Sequence, residues 1–162
     1  MEEQTTGCLV CGAPLEYFPS QIEMECTYCH KTFMSNARCV NGHFISDSCH
    51  EQMGLRVIED ICRHTDSKDP VAIMKKIILS PYIYMHGPEH HVLVGSALLA
   101  AYKNAGGELD LDAALEEMRN RGAQVPGGIC GLWGTCGAAV STGIFVSLIT
   151  GASPLSGKEW GL

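Results

Sequence analysis

The sequence predicts a mainly α protein: a small N-terminal zinc-ribbon (β) module over residues 1–50, then an α-helical domain of about five helices over residues 51–162. Three observations predict it. Six of the nine cysteines fall before residue 50, in a stretch of weak hydrophobic periodicity, the pattern of a module nucleated by metal and not by a core. Beyond that point apolar residues recur at helical spacing between aspartate, proline and glycine boundary signals. A chain of 162 residues has room for one ordinary domain and an appendage, but not for two full-sized domains.

In the module, Cys8-Leu9-Val10-Cys11 and Cys26-Thr27-Tyr28-Cys29 are two C-x2-C pairs with fourteen residues between them. Two residues between thiolates let both sulfurs reach one ion at about 2.3 Å, and two pairs complete a tetrahedral shell. The expected site is one structural zinc on Cys8, Cys11, Cys26 and Cys29. Cys39, His43, Cys49 and His50 offer a second, less regular ligand set. Ser46 stands where a cysteine would complete a C-x2-C with Cys49, so either His50 fills that shell or the site is incomplete. The alternative makes Cys49 a core residue and His43 a turn residue.

Each helix has its own signals. Asp47 or Ser48 caps a segment in which Cys49, Met53, Val57 and Ile61 recur every four residues, with Cys62 a small buried hydrophobe. Asp69 and Pro70 open a second helix with a stripe of Val71, Met74, Ile77 and Ile78, ended by Ser80 and Pro81. Pro88 and Glu89 open the third, which Gly106 and Gly107 stop and which is expected at the centre of the domain. Asp110 caps the fourth, with Leu111, Leu115 and Met118 inward and Gly122 closing it. The last apolar run, Ala138 to Ala152, reads as a buried helix and is too short for the roughly 17 to 25 residues of a membrane span. Along it Ala139, Gly143, Ser147 and Gly151 form a face of small residues, expected to serve close helix packing.

Composition excludes some functions. Eleven basic against eighteen acidic residues give a net charge of −7, which argues against nucleic acid as the main partner despite the ribbon. The first residues, MEEQTTG, carry neither a basic n-region nor an apolar h-region, so a reducing, cytoplasmic setting is expected, where clustered cysteines are metal ligands or redox centres.

Two further motifs carry chemistry. His86-Gly87-Pro88-Glu89-His90-His91 sets three imidazoles around a helix start, where the dipole favours the neutral ring as ligand or base. The alternative is packing or capping. Gly127-Gly128-Ile129-Cys130-Gly131-Leu132-Trp133-Gly134-Thr135-Cys136-Gly137 holds two cysteines, and a final helix beginning near Cys136 would stabilise its thiolate. Gly128, Gly131 and Gly137 would expose backbone amides to a bound anion or cofactor. Otherwise the glycines make a turn and the cysteines fill space.

The ribbon together with GHFISDSCH, HGPEHH and PGGICGLWGTCGAAVSTGIF resembles a domain-of-unknown-function family of archaea and anaerobic bacteria, over most of the chain. The resemblance implies a shared functional site at these motifs and names no reaction. HGPEHHVLVG is also similar to the histidine and glycine motif of a formylmethanofuran dehydrogenase accessory subunit, but lacks that motif's cysteine after the second histidine.

Two functions follow. In one, His86, His90 or His91 converge with Cys130 and Cys136 on one pocket that binds a transition metal or an iron-sulfur centre, or performs thiol redox or sulfur transfer, a second zinc being the expectation for the Cys39, His43, Cys49 and His50 set. In the other, the chain is a non-catalytic adaptor whose ribbon docks a partner protein. Convergence of the two motifs on a shared cavity decides for the first.

Overall fold

The computed structural model describes residues 7–83 and 87–157. The described residues are mostly helical, with one small antiparallel sheet, and the chain divides into two compact units, Met1–Met53 and Gly54–Leu162.

The N-terminal unit is built on a hairpin of β1 (Leu15–Glu25) and β2 (Thr32–Cys39). Its register runs from Leu15 opposite Cys39 to Glu25 opposite Thr32, with an irregularity between Tyr17 and Ile22 where Pro19 interrupts the ladder. Few large apolar side chains are buried here; Met24 joins Cys8, Cys26 and Cys39. A core of this size cannot hold the unit by burial alone. Helix α1 (Asp47–His64) runs across the division between the units.

In the second unit α2 (Pro70–Ile78), α4 (Leu111–Gly122) and α6 (Gly137–Thr150) pack on α3 (His90–Asn104), with the four-residue α5 (Ile129–Leu132) leading into α6. The predicted caps form. Asp69 accepts from the Val71 amide at 2.9 Å and Asp110 from the Ala113 amide at 3.2 Å. Helix α3 is central because it is apolar on nearly every side, burying Val92, Leu93, Ala97, Leu99 and Ala100. Among the described residues no helix is long and apolar enough to cross a membrane.

Three expectations about faces change. On α1 the residues that join the core are Leu55, Ile58 and Cys62, while Met53, Val57 and Ile61 are only half-buried. Cys62 is buried as expected, and burial pushes its thiol up to about 12. On α2 it is Ile73 and Ile77 that go in, leaving Val71 and Ile78 exposed, because a nine-residue helix with five large apolar positions does not define one stripe. On α6 the expected buried helix lies at the surface. Ala139 and Gly143 are exposed, and a side chain at Gly143 would meet nothing within 4 Å. The close packing is made instead by Gly137 and Ser141 of α6 and Gly95 of α3, with Ser141 Oγ accepting from the Gly95 amide at 2.8 Å. Gly122, read as a helix stop, is the last residue of α4 and lets it approach α3, since a Cβ there would lie 3.2 Å from the His91 carbonyl oxygen.

One charged cluster ties α1 to α4. Glu59, almost wholly buried, accepts from Arg63 Nη1 at 3.2 Å and Arg119 Nη1 at 3.0 Å, and Arg63 Nε also reaches Asp112 at 2.7 Å. Glu59→Ala is expected to destabilise the unit by about 1 to 2 kcal/mol in urea unfolding, less than a fully buried pair because both guanidiniums stay more than a third exposed and rehydrate. Glu59→Gln should fall between the two.

Candidate functional site

Two clusters in the N-terminal unit have the donors and spacing of metal sites, and they regroup the cysteines. Cys8, Cys11, Cys39 and His43 form one, and Cys26, Cys29 and Cys49 the other, with all ligand atoms of each within 4.8 Å of one another. The expected single site on Cys8, Cys11, Cys26 and Cys29 is therefore corrected, as is the second set of Cys39, His43, Cys49 and His50. The pairs alternate along the chain. The hairpin is the physical reason: eleven residues of β1 at about 3.3 Å each carry the chain far from the first knuckle before it reaches Cys26. Antiparallel pairing then returns Cys39 opposite Leu15, beside Cys8 and Cys11.

The local geometry fits metal ligation. In the first cluster Cys11 Sγ lies 3.5 Å from Cys39 Sγ and Cys8 Sγ 3.7 Å from His43 Nδ1, close to the roughly 3.8 Å edge of a tetrahedron with metal–sulfur bonds of about 2.3 Å. Three tight turns present the thiols. Gly12, His30 and Gly42 take positive φ after Cys11, Cys29 and Asn41, and their amides close back on the carbonyls of Cys8, Cys26 and Cys39. Amides also point at sulfur: Val10 N–H to Cys8 at 3.4 Å, Asn41 N–H to Cys39 at 3.3 Å and Ser46 N–H to Cys26 at 3.3 Å. Such donors stabilise thiolate around an ion.

Charge behaves accordingly. The Ala13 amide and the Asn41 side chain pull the Cys11 thiol down to about 6. At Cys26 burial works against ionisation, but the amides of Ser46 and Cys29 prevail and hold it at about 6. Burial and the adjacent Cys11 and Cys8 sulfurs push Cys39 up. At Cys49 the Ser46 hydroxyl favours the thiolate, yet burial with Cys29 and Cys26 alongside outweighs it and pushes the thiol up. Crowded thiols that resist ionising together are what a cation relieves.

Ser46 and Asn41 are the contributors that residue type alone did not reveal. Ser46, set aside as a failed ligand, has its hydroxyl 3.4 Å from the Cys49 amide that donates to it and its own amide on Cys26. The Asn41-Gly42 dipeptide was the available signal for a third knuckle. His50 is buried next to Cys49 and stands outside the three-cysteine group.

The second unit brings the other two motifs together. A cavity of about 580 Å³ is lined by His90 and His91 of α3, Cys130 of α5 and Cys136 at the start of α6. Gly87, Gly128 and Gly137 contribute backbone to its wall. Gly131 does not line it, and His86 lies outside the described residues. Cys136 is the N-cap residue of α6, as its position before the apolar run implied, and its side chain makes no capping hydrogen bond.

The contact that closes the pocket is between Gly137 and His91. A Cβ at Gly137 would overlap the imidazole, 2.7 Å from Nε2, so only glycine lets the start of α6 lie against the ring. His91 is 9% exposed, whereas Cys130 and Cys136 are both exposed to solvent. At Gly87 a Cβ would overlap the buried Glu89 carboxylate, which would have to move aside. Among the described residues the pocket's imidazoles and thiols are not drawn together as tightly as the two N-terminal clusters, which leaves space between them for a small molecule.

Residues 58–162 match the family of unknown function (DUF5714), a stretch that contains the whole pocket and none of the clustered N-terminal ligands. No curated protein and no solved structure matches the chain.

Proposed function

The chain belongs to DUF5714, a family of unknown function, so its chemistry has to be read from its own side chains, and we propose that it is a zinc protein whose helical unit carries out thiol exchange. The observation that supports this reading best is the meeting of His90, His91, Cys130 and Cys136 on one cavity, with Gly137 laid against the His91 ring. Cys136 is the nucleophile and His91 the base. The Cys136 thiol gives its proton to His91, and the thiolate attacks one sulfur of a bound disulfide. A new S–S bond forms, the ligand's S–S bond breaks, and the leaving thiolate takes the proton back from the imidazolium. Cys130, on the same cavity, then attacks Cys136, releasing the remaining ligand as a thiol and leaving a Cys130–Cys136 disulfide.

The N-terminal clusters hold zinc in this reading, since three thiolates with an imidazole, or three thiolates, are soft donors suited to it. They act structurally, in a reducing, cytoplasmic compartment. The test of the thiol reading is treatment with a small neutral disulfide followed by peptide mass mapping. Wild type is expected to give the Cys130–Cys136 disulfide, and Cys130→Ser a mixed disulfide trapped on Cys136. Modification spread evenly over all exposed thiols would refute the assignment.

A second reading makes the N-terminal unit a docking module for a partner protein, favoured by the exposed Tyr17 and Met34 on its hairpin. Nucleic acid remains disfavoured by the −7 charge.

A further inference from the structure

The helix that begins at Cys136 starts with its donors unused. Cys136 supplies no side-chain cap, and among the described residues the amides of Gly137, Ala138 and Ala139 have no acceptor. Helix α6 is 14 residues long, so the partial positive charge at this end is fully developed. Gly137 and Ala138 both line the cavity.

A second group points to the same place. His91 is nine-tenths buried, its ring lines the cavity, and no hydrogen bond to that ring is made among the described residues. Its Nε2 edge is fixed over the first residue of α6 by the absence of a Cβ at Gly137. An imidazole nine-tenths buried, with no hydrogen bond to its ring among the described residues, keeps its nitrogens available to whatever occupies the cavity. The wall's composition decides the sign of that ligand. The chain carries eighteen acidic residues, yet among the described residues no aspartate or glutamate lines this cavity, and its polar groups there are imidazoles, thiols and backbone amides. Glu89, the nearest carboxylate in sequence, is buried against Gly87 and is not part of the lining.

We propose that the cavity binds a small oxyanion-bearing ligand, a carboxylate or phosphate, with the anion on the Gly137 and Ala138 amides and His91 and its reactive end toward Cys136. This names the ligand class of the pocket and rests on the thiol reading for the role of Cys136 alone. The amides would serve the anion as helix N-termini do elsewhere. The cavity, about 580 Å³, is of a size for a small metabolite.

Alkylation separates the two claims. The zinc-loaded full chain is labelled with iodoacetate or iodoacetamide, with glutathione in the same tube as the free-thiol reference, and Cys136 labelling is read by peptide mass mapping. The iodoacetate-to-iodoacetamide rate ratio at Cys136 is expected to exceed that of glutathione by about tenfold, to saturate with iodoacetate, and to fall when inorganic phosphate is added. His91→Ala should lose the phosphate effect with its far-ultraviolet circular dichroism unchanged. A ratio equal to that of glutathione and indifferent to phosphate overturns the anion site, and brisk iodoacetamide labelling in that case leaves the thiol reading standing. If Cys136 is inert to both reagents, the thiol reading falls, and the His91 ring signals decide the anion site: movement on phosphate titration upholds it, and their constancy overturns it.

Discussion

Stripping the metal with a strong chelator is expected to unfold residues 7–53 while the helices of residues 54–157 keep their circular dichroism signal. The described residues of the N-terminal unit bury few large apolar side chains, so zinc held at its two clusters would supply the folding free energy, about 10 kcal/mol or more for each structural ion. The regrouped ligands make the prediction specific. Wild type should carry two zinc ions per chain by metal analysis. Cys39→Ser should lose the ion shared with Cys8 and Cys11, and Cys49→Ser the ion shared with Cys26 and Cys29, each variant retaining the other. If one ion joined Cys8, Cys11, Cys26 and Cys29, both variants would keep it. Affinity should fall with falling pH, because each thiolate that takes a proton is lost as a ligand, and the drop should steepen below about 6, where Cys11 and Cys26 protonate.

Gly95→Ala should be among the most damaging single changes in the helical unit, lowering its stability by about 3 kcal/mol. A Cβ at Gly95 would lie 2.6 Å from Met118 Sδ and 2.7 Å from the Ser141 carbonyl oxygen. The methionine end can swing away. The carbonyl cannot, because it belongs to the α6 backbone, so α3 and α6 must separate and the Gly95 amide bond to Ser141 Oγ lengthens with them. Since α6 begins at Cys136, the same displacement should slow Cys136 labelling. Chemical unfolding of wild type and variant measures the loss, and Gly143→Ala is the control, expected to be neutral or slightly stabilising because nothing lies within 4 Å of that position.

Local chemistry made much of this legible in the sequence. Asp69-Pro70 and Asp110 mark helix starts whatever surrounds them, because a cap satisfies amides two or three residues away. The all-round apolar α3 could only be central, and Cys136 could be set at a helix N-terminus from the apolar run that follows it. Seven of the eight proposed metal ligands do stand in clusters, since cysteine and histidine so concentrated have few other uses.

What only the tertiary structure decided are partnerships across distance. The spacing of the C-x2-C pairs is compatible with one shared ion or with two, and the choice belongs to an antiparallel hairpin that carries Cys26 away and brings Cys39 back. Likewise the small residues of α6 announce close packing without saying on which side. Backbone proximity chose Gly137 and Ser141, against His91 and Gly95, over the Ala139 and Gly143 face. Residue types and spacing determined which side chains can ligate, cap or pack. The path of the chain through space determined which of them meet.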